Sequence, residues 1–348
     1  MAALCWHFFD DIGTVSFSVD KRSAVPAIPC VFETLGLPVN PEKHESWSQS
    51  IVHLGVVHDL TLAQEDRIRY TPKEGRIEKI VQRCQKALSE KFLASGDAAS
   101  LRGELGYLFC SSFDKIGKCG LQAIADCQYE RIASGWSSAL ASSLGFFITV
   151  LPSLPPKIIE VHSLCRPRRV LYTDASWEVA YKSEELECEW ISAGLGAVLF
   201  SGCGKAVAFA SMLAQRWIPL FKPRKTQIVM CEGIAVLDAV SHLQRDLAGS
   251  ELLLFVDNIA LVCALIKGSS SHEDIQGIVT TIHAILARIG CSWWVEWVPS
   301  ALNCSDGPSR DGVDDPWCRS HGISVSLLPD SGWNSQSLGT FGSVSLLL

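Results

Sequence analysis

The chain has 348 residues, a formal net charge of −7, 48% hydrophobic residues and a mean hydropathy of +0.21. That length accommodates two domains with separate cores, and the apolar content excludes a disordered chain. The acidic balance excludes a uniformly basic surface for coating nucleic acid, while leaving room for a local basic groove. Fourteen cysteines are scattered without a CxxC pair or zinc-ligand spacing, a pattern of reduced thiols that predicts an intracellular protein of the cytoplasm or nucleus. No basic region precedes the first apolar run, so no signal peptide is expected.

In chain order, residues 1–62 read as short strands and turns. CWHFF is followed by the pair Asp10-Asp11, then by TVSFSV, a helix around VPAIPCVFETLG, and SIVHLGVVHDL. Residues 71–130 read as helices. In TPKEGRIEKIVQRCQKALSEKF the apolar residues Ile77, Ile80, Val81, Cys84 and Leu88 fall at helical spacing, with Thr71 and Pro72 as start signals. The other face carries Lys73, Arg76, Lys79, Arg83 and Lys86, read either as a solvated face or as a surface that tracks a nucleic-acid backbone. The apolar window 133–154 is Ser-rich and broken by Pro152, which favours a buried helix over a membrane span. LPSLPPK (151–157) reads as a linker, and Arg166, Arg168 and Arg169 follow it as a basic patch.

From 170 to about 312 the pattern is regular: RVLYTDAS, ISAGLGAVLF and KAVAFASML as strands, a helix through TQIVMCEGIAVLDAVSHLQ, the strand ELLLFVDN, two helices, the strand SWWVEWVP, and a last element after LNCSDGPSRDG. The predicted order β-β-β-α-β-α-α-β-α gives an α/β fold, a mixed five-stranded sheet with flanking helices. After about 320 neither period nor charge is evident, and 317–348 is expected to be a loosely ordered tail.

Four acids stand out in this second half. Asp174 follows an apolar strand, Glu232 lies in the apolar stripe of a helix, Asp257 ends the strand LLLFV, and Asp306 follows the last strand. Asp257-Asn258 and Asp306 each have an ordinary explanation as turn or cap residues. Glu232 does not, because an unpaired buried carboxylate costs several kcal/mol. An all-oxygen ligand set suits Mg²⁺ or Mn²⁺, and two such ions about 3.5–4 Å apart promote phosphodiester cleavage.

The stretches YTDAS (172–176), TQIVMCEGIAVLDAV (226–240), LLFVDNIA (253–260) and WVPSALNCSDGPSR (297–310) together resemble ribonuclease H, and more closely the RNase H domain of reverse-transcribing retroelements of the LTR or DIRS type. The resemblance implies that Asp174, Glu232, Asp257 and Asp306 are catalytic and bind two Mg²⁺ or Mn²⁺ ions, that Asn303 and Ser309 support them, and that the partner is an RNA–DNA hybrid with no membrane involved. Two features depart from that family. The acidic insertion 178–190 replaces a short turn, and the histidine that some members place before the last acid has no counterpart in PSALNC; His272 reads as a helix start.

Ahead of this region, Phe8-Phe9-Asp10-Asp11 resembles the aromatic-x-Asp-Asp turn of a reverse-transcriptase palm. LGLPVNPEKHE (35–45) resembles the next palm motif, leading to Lys43, and Leu54-Gly55 the primer-gripping strand pair. The organisation implied is a partial palm over 1–65, a helical thumb and connection over 66–165, an RNase H-like domain over 166–316 and a tail over 317–348. Asp10 and Asp11 would be remnant polymerase-site ligands. The ten residues before Asp11 have no room for the fingers or an earlier palm aspartate, so DNA synthesis by this chain alone is not expected. Two other readings are an inactive remnant that binds nucleic acid or is purely structural, and an integrase-like strand-transfer enzyme. The latter places its glutamate last, whereas Glu232 comes second.

Overall fold

The computed structural model describes residues 3–8, 11–16, 21–37, 47–109, 115–132, 135–160, 166–183, 188–202, 204–214, 217, 221–222 and 227–329. The chain divides into two compact units, 1–73 with 157–161, and 74–156 with 162–348.

In the first unit, β1 (Ala3–Phe8) and β2 (Asp11–Ser16) form an antiparallel hairpin in which Phe8 pairs with Asp11. The second strand therefore starts at Asp11, three residues before the predicted TVSFSV. Phe9, Asp10 and Lys43 lie outside the described residues, as does the Asp11 side chain. After α1 (Lys21–Thr34) come β3 (Ser50–His53), β4 (Val56–Asp59) and β5 (Arg67–Pro72). Leu54 and Gly55 join β3 to β4 with φ of 50° and 77°. Two left-handed residues in a two-residue loop make the tight turn whose twist matches the flanking strands.

The helical start predicted at Thr71-Pro72 is corrected. Both residues complete β5, opposite Val57 and Val56, and the helix begins at Arg76 after Gly75, whose φ is 74°. Proline is tolerated there because pairing on the strand's other side covers only Arg67–Tyr70, which leaves Pro72 on an edge. A fourth strand, β6 (Lys157–Glu160), pairs with β5, so residues 67–72 and 157–160 belong with the first strands and not with the helices between them.

The second unit opens with α2 (Arg76–Glu90), α3 (Ser95–Leu108), α4 (Lys118–Gln128) and α5 (Ser138–Ser153). Ile80, Cys84 and Ala87 of α2, Leu101, Leu105 and Leu108 of α3, and Leu140, Leu144, Phe147 and Leu151 of α5 recur every three or four residues and share one core. Burying each Leu or Phe is worth roughly 1.5–3 kcal/mol. The apolar window near 140 is thus a buried helix, and no described helix is long and apolar enough to cross a membrane. The helix runs on through Pro152, which shortens the expected linker to a few residues. On the basic face, Arg83 reaches Glu104 at 2.7 Å and Arg76 lies over the Tyr107 ring.

The rest of this unit is a mixed sheet with helices on both faces. Its strands are β7 (Arg168–Ala175), β10 (Gly194–Ser201), β11 (Ala206–Met212), β12 (Glu251–Val256), β13 (Ser292–Trp297) and β14 (Val325–Leu327); a separate hairpin, β8 (Glu178–Ser183) with β9 (Cys188–Ser192), is built from the acidic insertion. Spatial order is β13-β12-β7-β10-β11-β14, parallel across β13, β12 and β7, and antiparallel from β7 to β10 to β11. The predicted five strands become six. β14 comes from the stretch expected to be a loose tail, and pairs in parallel with Ala208–Ala210. Three residues are too short to show a period in sequence.

The helices are α6 (Ile228–His242), α7 (Gln244–Leu247), α8 (Ile259–Lys267), α9 (Glu273–Arg288), α10 (Asp306–Asp311) and α11 (Pro316–Ser320). Leu171, Leu195, Ala197, Leu252, Leu254 and Val295 pack with α6, α8 and α9 on one face. On the other, Val198 and Ala208 meet Cys318 of α11. Ala284 of α9 also belongs to the core of α2–α5, so this helix is shared by the bundle and the sheet.

Candidate metal centre

Parallel pairing brings the first two acids together. Thr173 of β7 lies opposite Val256 of β12, so the next residues, Asp174 and Asp257, leave the carboxyl ends of adjacent strands side by side. Alternation along each strand puts Leu171 and Val256 into the α6 core and hence Asp174 and Asp257 on the opposite face. Glu232 arrives from α6, on the core side, at the same sheet edge. Each of the three offers a carboxylate oxygen within 4.8 Å of the others.

Asp174 and Glu232 are 3% exposed. Burial first, then the charges of Asp257 and Asp306, push Asp174 up to about 6, against the opposing pull of the Ser309 hydroxyl and Arg310. Burial, the charges of Asp174 and Asp257 and a hydrogen bond with Asp257 push Glu232 up to about 10, with a backbone bond to Ala175 opposing. The Glu232 Oε2 atom is buried without a hydrogen-bond partner. Three converging carboxylates, one with an orphaned oxygen, lack the positive charge that would let all three ionise. An oxygen-only donor set of this kind fits a hard divalent cation, of the Mg²⁺ class. The three acids form a group able to hold a metal ion.

Asp306, the fourth predicted acid, lies outside that group. Its Oδ1 accepts from Arg310 Nε at 2.8 Å, one helical turn on, and its side chain is 39% exposed. It is near enough for its charge to raise Asp174.

Both predicted supporting residues reach Asp174. The Asn303 amide donates to Thr173 O at 3.0 Å and to Asp174 Oδ1 at 3.4 Å, while its own oxygen accepts from the Ser305 hydroxyl at 2.6 Å. Ser309 donates to Asp174 Oδ2 at 2.5 Å. His272 precedes α9 without a side-chain cap, as its sequence position suggested. Asn258 caps α8, accepting from Ala260 and Leu261 N–H.

Several contributors were not visible in the sequence. Ser300 donates to Asp257 Oδ2 at 2.7 Å, and Trp297 Nε1 to Asp257 O at 2.9 Å. Ser176 donates to Ser309 O at 2.7 Å and accepts from Gly194 N–H. The segment carrying Asn303, Asp306 and Ser309 lies directly on β10. A Cβ at Gly194 would stand 1.9 Å from Ser309 O, and one at Gly196 2.4 Å from Ser305 O and 2.5 Å from Ser309 N. Gly196 pairs with Asp174, so the missing side chain is what lets Ser309 reach that carboxylate. Only the close packing reveals this; GLG in a strand would otherwise suggest a bulge or a tight bend.

The basic patch is at the far end. Arg168 begins β7, six positions and about 20 Å along the strand from Asp174. Arg169 donates to Asp246 O and Arg166 to Gly290 O.

Among comparisons with known proteins, no family model matches the chain, and no curated protein does. Solved structures similar to it include RNase H1 from the halophilic archaeon Halobacterium salinarum NRC-1, at 20% identity over 42% of this chain and 98% of that one, with a TM-score of 0.31. Another is the N-terminal RNase H domain of a Mycobacterium tuberculosis protein, fused to maltose binding protein, at 17% identity over 44% and 98%, TM-score 0.31. A third is LC11-RNase H1, isolated from compost by a metagenomic approach, at 16% identity over 42% and 96%, TM-score 0.33.

Proposed function

We propose that the chain is a divalent-metal-dependent nuclease that cleaves the RNA strand of RNA–DNA hybrids. The observation that carries this reading is the convergence of Asp174, Glu232 and Asp257 at one sheet edge, with Glu232 Oε2 buried and unpartnered. Such a set is expensive for a fold to keep unless a cation compensates it. Mg²⁺ or Mn²⁺ bound there, as one ion or two, would supply the charge that activates water and stabilises the departing oxygen.

The chain's own residues do the positioning. Asn303 and Ser309 hold the two oxygens of Asp174, and Ser300 holds one oxygen of Asp257. These bonds leave the remaining lone pairs of both carboxylates, and the free oxygen of Glu232, for the metal. Asp306 belongs to the catalytic set in this reading, at its exposed side beside Arg310, where a phosphodiester would enter.

The motif order quoted from the sequence supports placing this nuclease in a retroelement reverse transcriptase. There the first strands, with residues 67–72 and 157–160 joined to them, belong to a palm, α2–α5 to thumb and connection, and the sheet that runs from β13 to β14 to the RNase H-like domain, with Asp10 and Asp11 as polymerase-site ligands. Cleavage of a labelled hybrid in Mg²⁺ and in Mn²⁺ tests the proposal, with Asp257→Asn as control. Metal-dependent cutting of the RNA strand, lost in the variant, is expected. Absence of product, or equal product from Asp257→Asn, refutes it.

A further inference from the structure

Beside Asp257 stands a large exposed aromatic side chain. Trp297 sits at the end of β13, on the face where Trp293 and Val295 pack into the core, yet it runs past that core and remains 46% exposed. Its Nε1 hydrogen bond to Asp257 O pins one edge of the indole to the residue that carries a metal-binding carboxylate. Ile259, two residues beyond Asp257, is 61% exposed, and Leu302, two beyond Ser300, is 70% exposed. Ile259 and Leu302 thus lie within two residues, along the chain, of the acid and of the serine that donates to its carboxylate. They carry no charge and offer nothing to phosphate oxygens.

A half-exposed indole held by its N–H offers stacking. A fully paired duplex presents base edges, sugars and phosphates at its surface, because the faces of its bases are covered by their neighbours. Away from a duplex end, only an unpaired nucleotide has a face free to lie on Trp297. Resting on the reading of the site as a hybrid nuclease, we infer that Trp297 is a specificity-determining residue. It stacks an unpaired nucleobase next to the cleaved phosphate, so that the chain favours hybrids carrying a mismatch or bulge there.

The test uses the full chain and two hybrids that differ only in whether the nucleotide beside the cleavage position is paired. The expected ratio of kcat/KM, unpaired over paired, is about tenfold, within the range that one base–aromatic stack supplies. In Trp297→Ala the ratio falls to about one. Trp297→Phe, which loses the N–H bond to Asp257 but keeps an aromatic face, retains a ratio of several-fold. A wild-type ratio near one, an unchanged ratio in Trp297→Ala, or a Phe variant that behaves like Ala overturns the inference; the last would mean that Trp297 acts only through its N–H.

If the wild type cleaves neither hybrid, the nuclease reading fails, and binding then decides the inference separately. With 2-aminopurine at the unpaired position, wild type quenches its fluorescence on binding and Trp297→Ala does not. Equal quenching, or none with wild type, overturns it.

Discussion

Glu232→Gln is the most informative single perturbation of the acid cluster. Glu232 has an ordinary carboxyl value of 4.5 in the unfolded chain, and the fold raises it to about 10. A raised acid works against folding above its unfolded value: the native state keeps the proton while the unfolded state releases it, so stability falls as pH rises from 4.5 towards 10. At about pH 7.5 the proton is held roughly 3 units above the unfolded value, a cost of about 4 kcal/mol. Asp174, raised from 3.8 to about 6, adds to the slope below about pH 6. Gln keeps the shape without titrating and can keep the Ala175 bond, at the cost of a buried amide group without a partner in place of Oε2, about 1–3 kcal/mol. The variant should therefore be more stable than wild type at about pH 7.5 by roughly 1–2 kcal/mol, or about 3–6 °C in Tm for a domain of this size, and no more stable near pH 4.5. Millimolar Mg²⁺ should reverse the order by raising the wild-type Tm and leaving Glu232→Gln unmoved. Thermal melts at several pH values, with Mg²⁺ and with EDTA, measure both effects. Parallel pH profiles for the two proteins, or an equal Mg²⁺ shift, would refute the account of Glu232 as an acid held for a cation.

Gly196→Val should lower Tm by about 5 °C, because the new side chain meets main-chain atoms of Ser305 and Ser309 that cannot rotate away, an overpacking cost of about 1–3 kcal/mol. It should lower hybrid cleavage at least tenfold by lifting Ser309 from Asp174, whereas Gly202→Ala, with its nearest neighbour at 3.7 Å, should be neutral in both melts and cleavage. Asn303→Ala should destabilise by about 1–3 kcal/mol in urea unfolding and weaken the Mg²⁺-induced Tm shift, since it frees one oxygen of Asp174 and strands the Ser305 hydroxyl; an unchanged shift would remove Asn303 from the support of the centre.

Asp174 and Glu232 were legible because each sat where a local rule failed, one at the end of an apolar strand and the other in the stripe of Ile228, Ile234 and Leu237. Asp257, after Leu-Leu-Phe-Val, had an ordinary explanation as a turn residue and stood out only beside the other two, and the structure brings these three together. The residues holding them broke no rule. Ser300 is an ordinary serine after a proline, and its bond to Asp257 exists because β13 and β12 run in parallel and end together. The Gly194 and Gly196 contacts depend on where α10 lands, which nothing in β10 announces. The helix start at Thr71-Pro72 failed for a related reason. Its cap signal was real in composition, but both residues were already claimed by a ladder with β4, and long-range pairing overrides local propensity.

The separation of Asp306 from the other three acids follows from the same electrostatics that raise Asp174 and Glu232. Three carboxylates within 4.8 Å already resist ionising together, and a fourth brought among them would need a cation to offset it. Asp306 has one in its own helix. Arg310, four residues on, lies on the same face of α10 and takes its Oδ1, which keeps the charge balanced at the rim. Asp174 and Glu232 have no such neighbour within their elements, being set among the apolar residues of β7 and α6. Arg310 offsets the charge of Asp174 in part, and the rest of the compensation for those two comes from outside the chain or from protons. Their raised values and the partnered state of Asp306 are therefore two expressions of one deficit of positive charge.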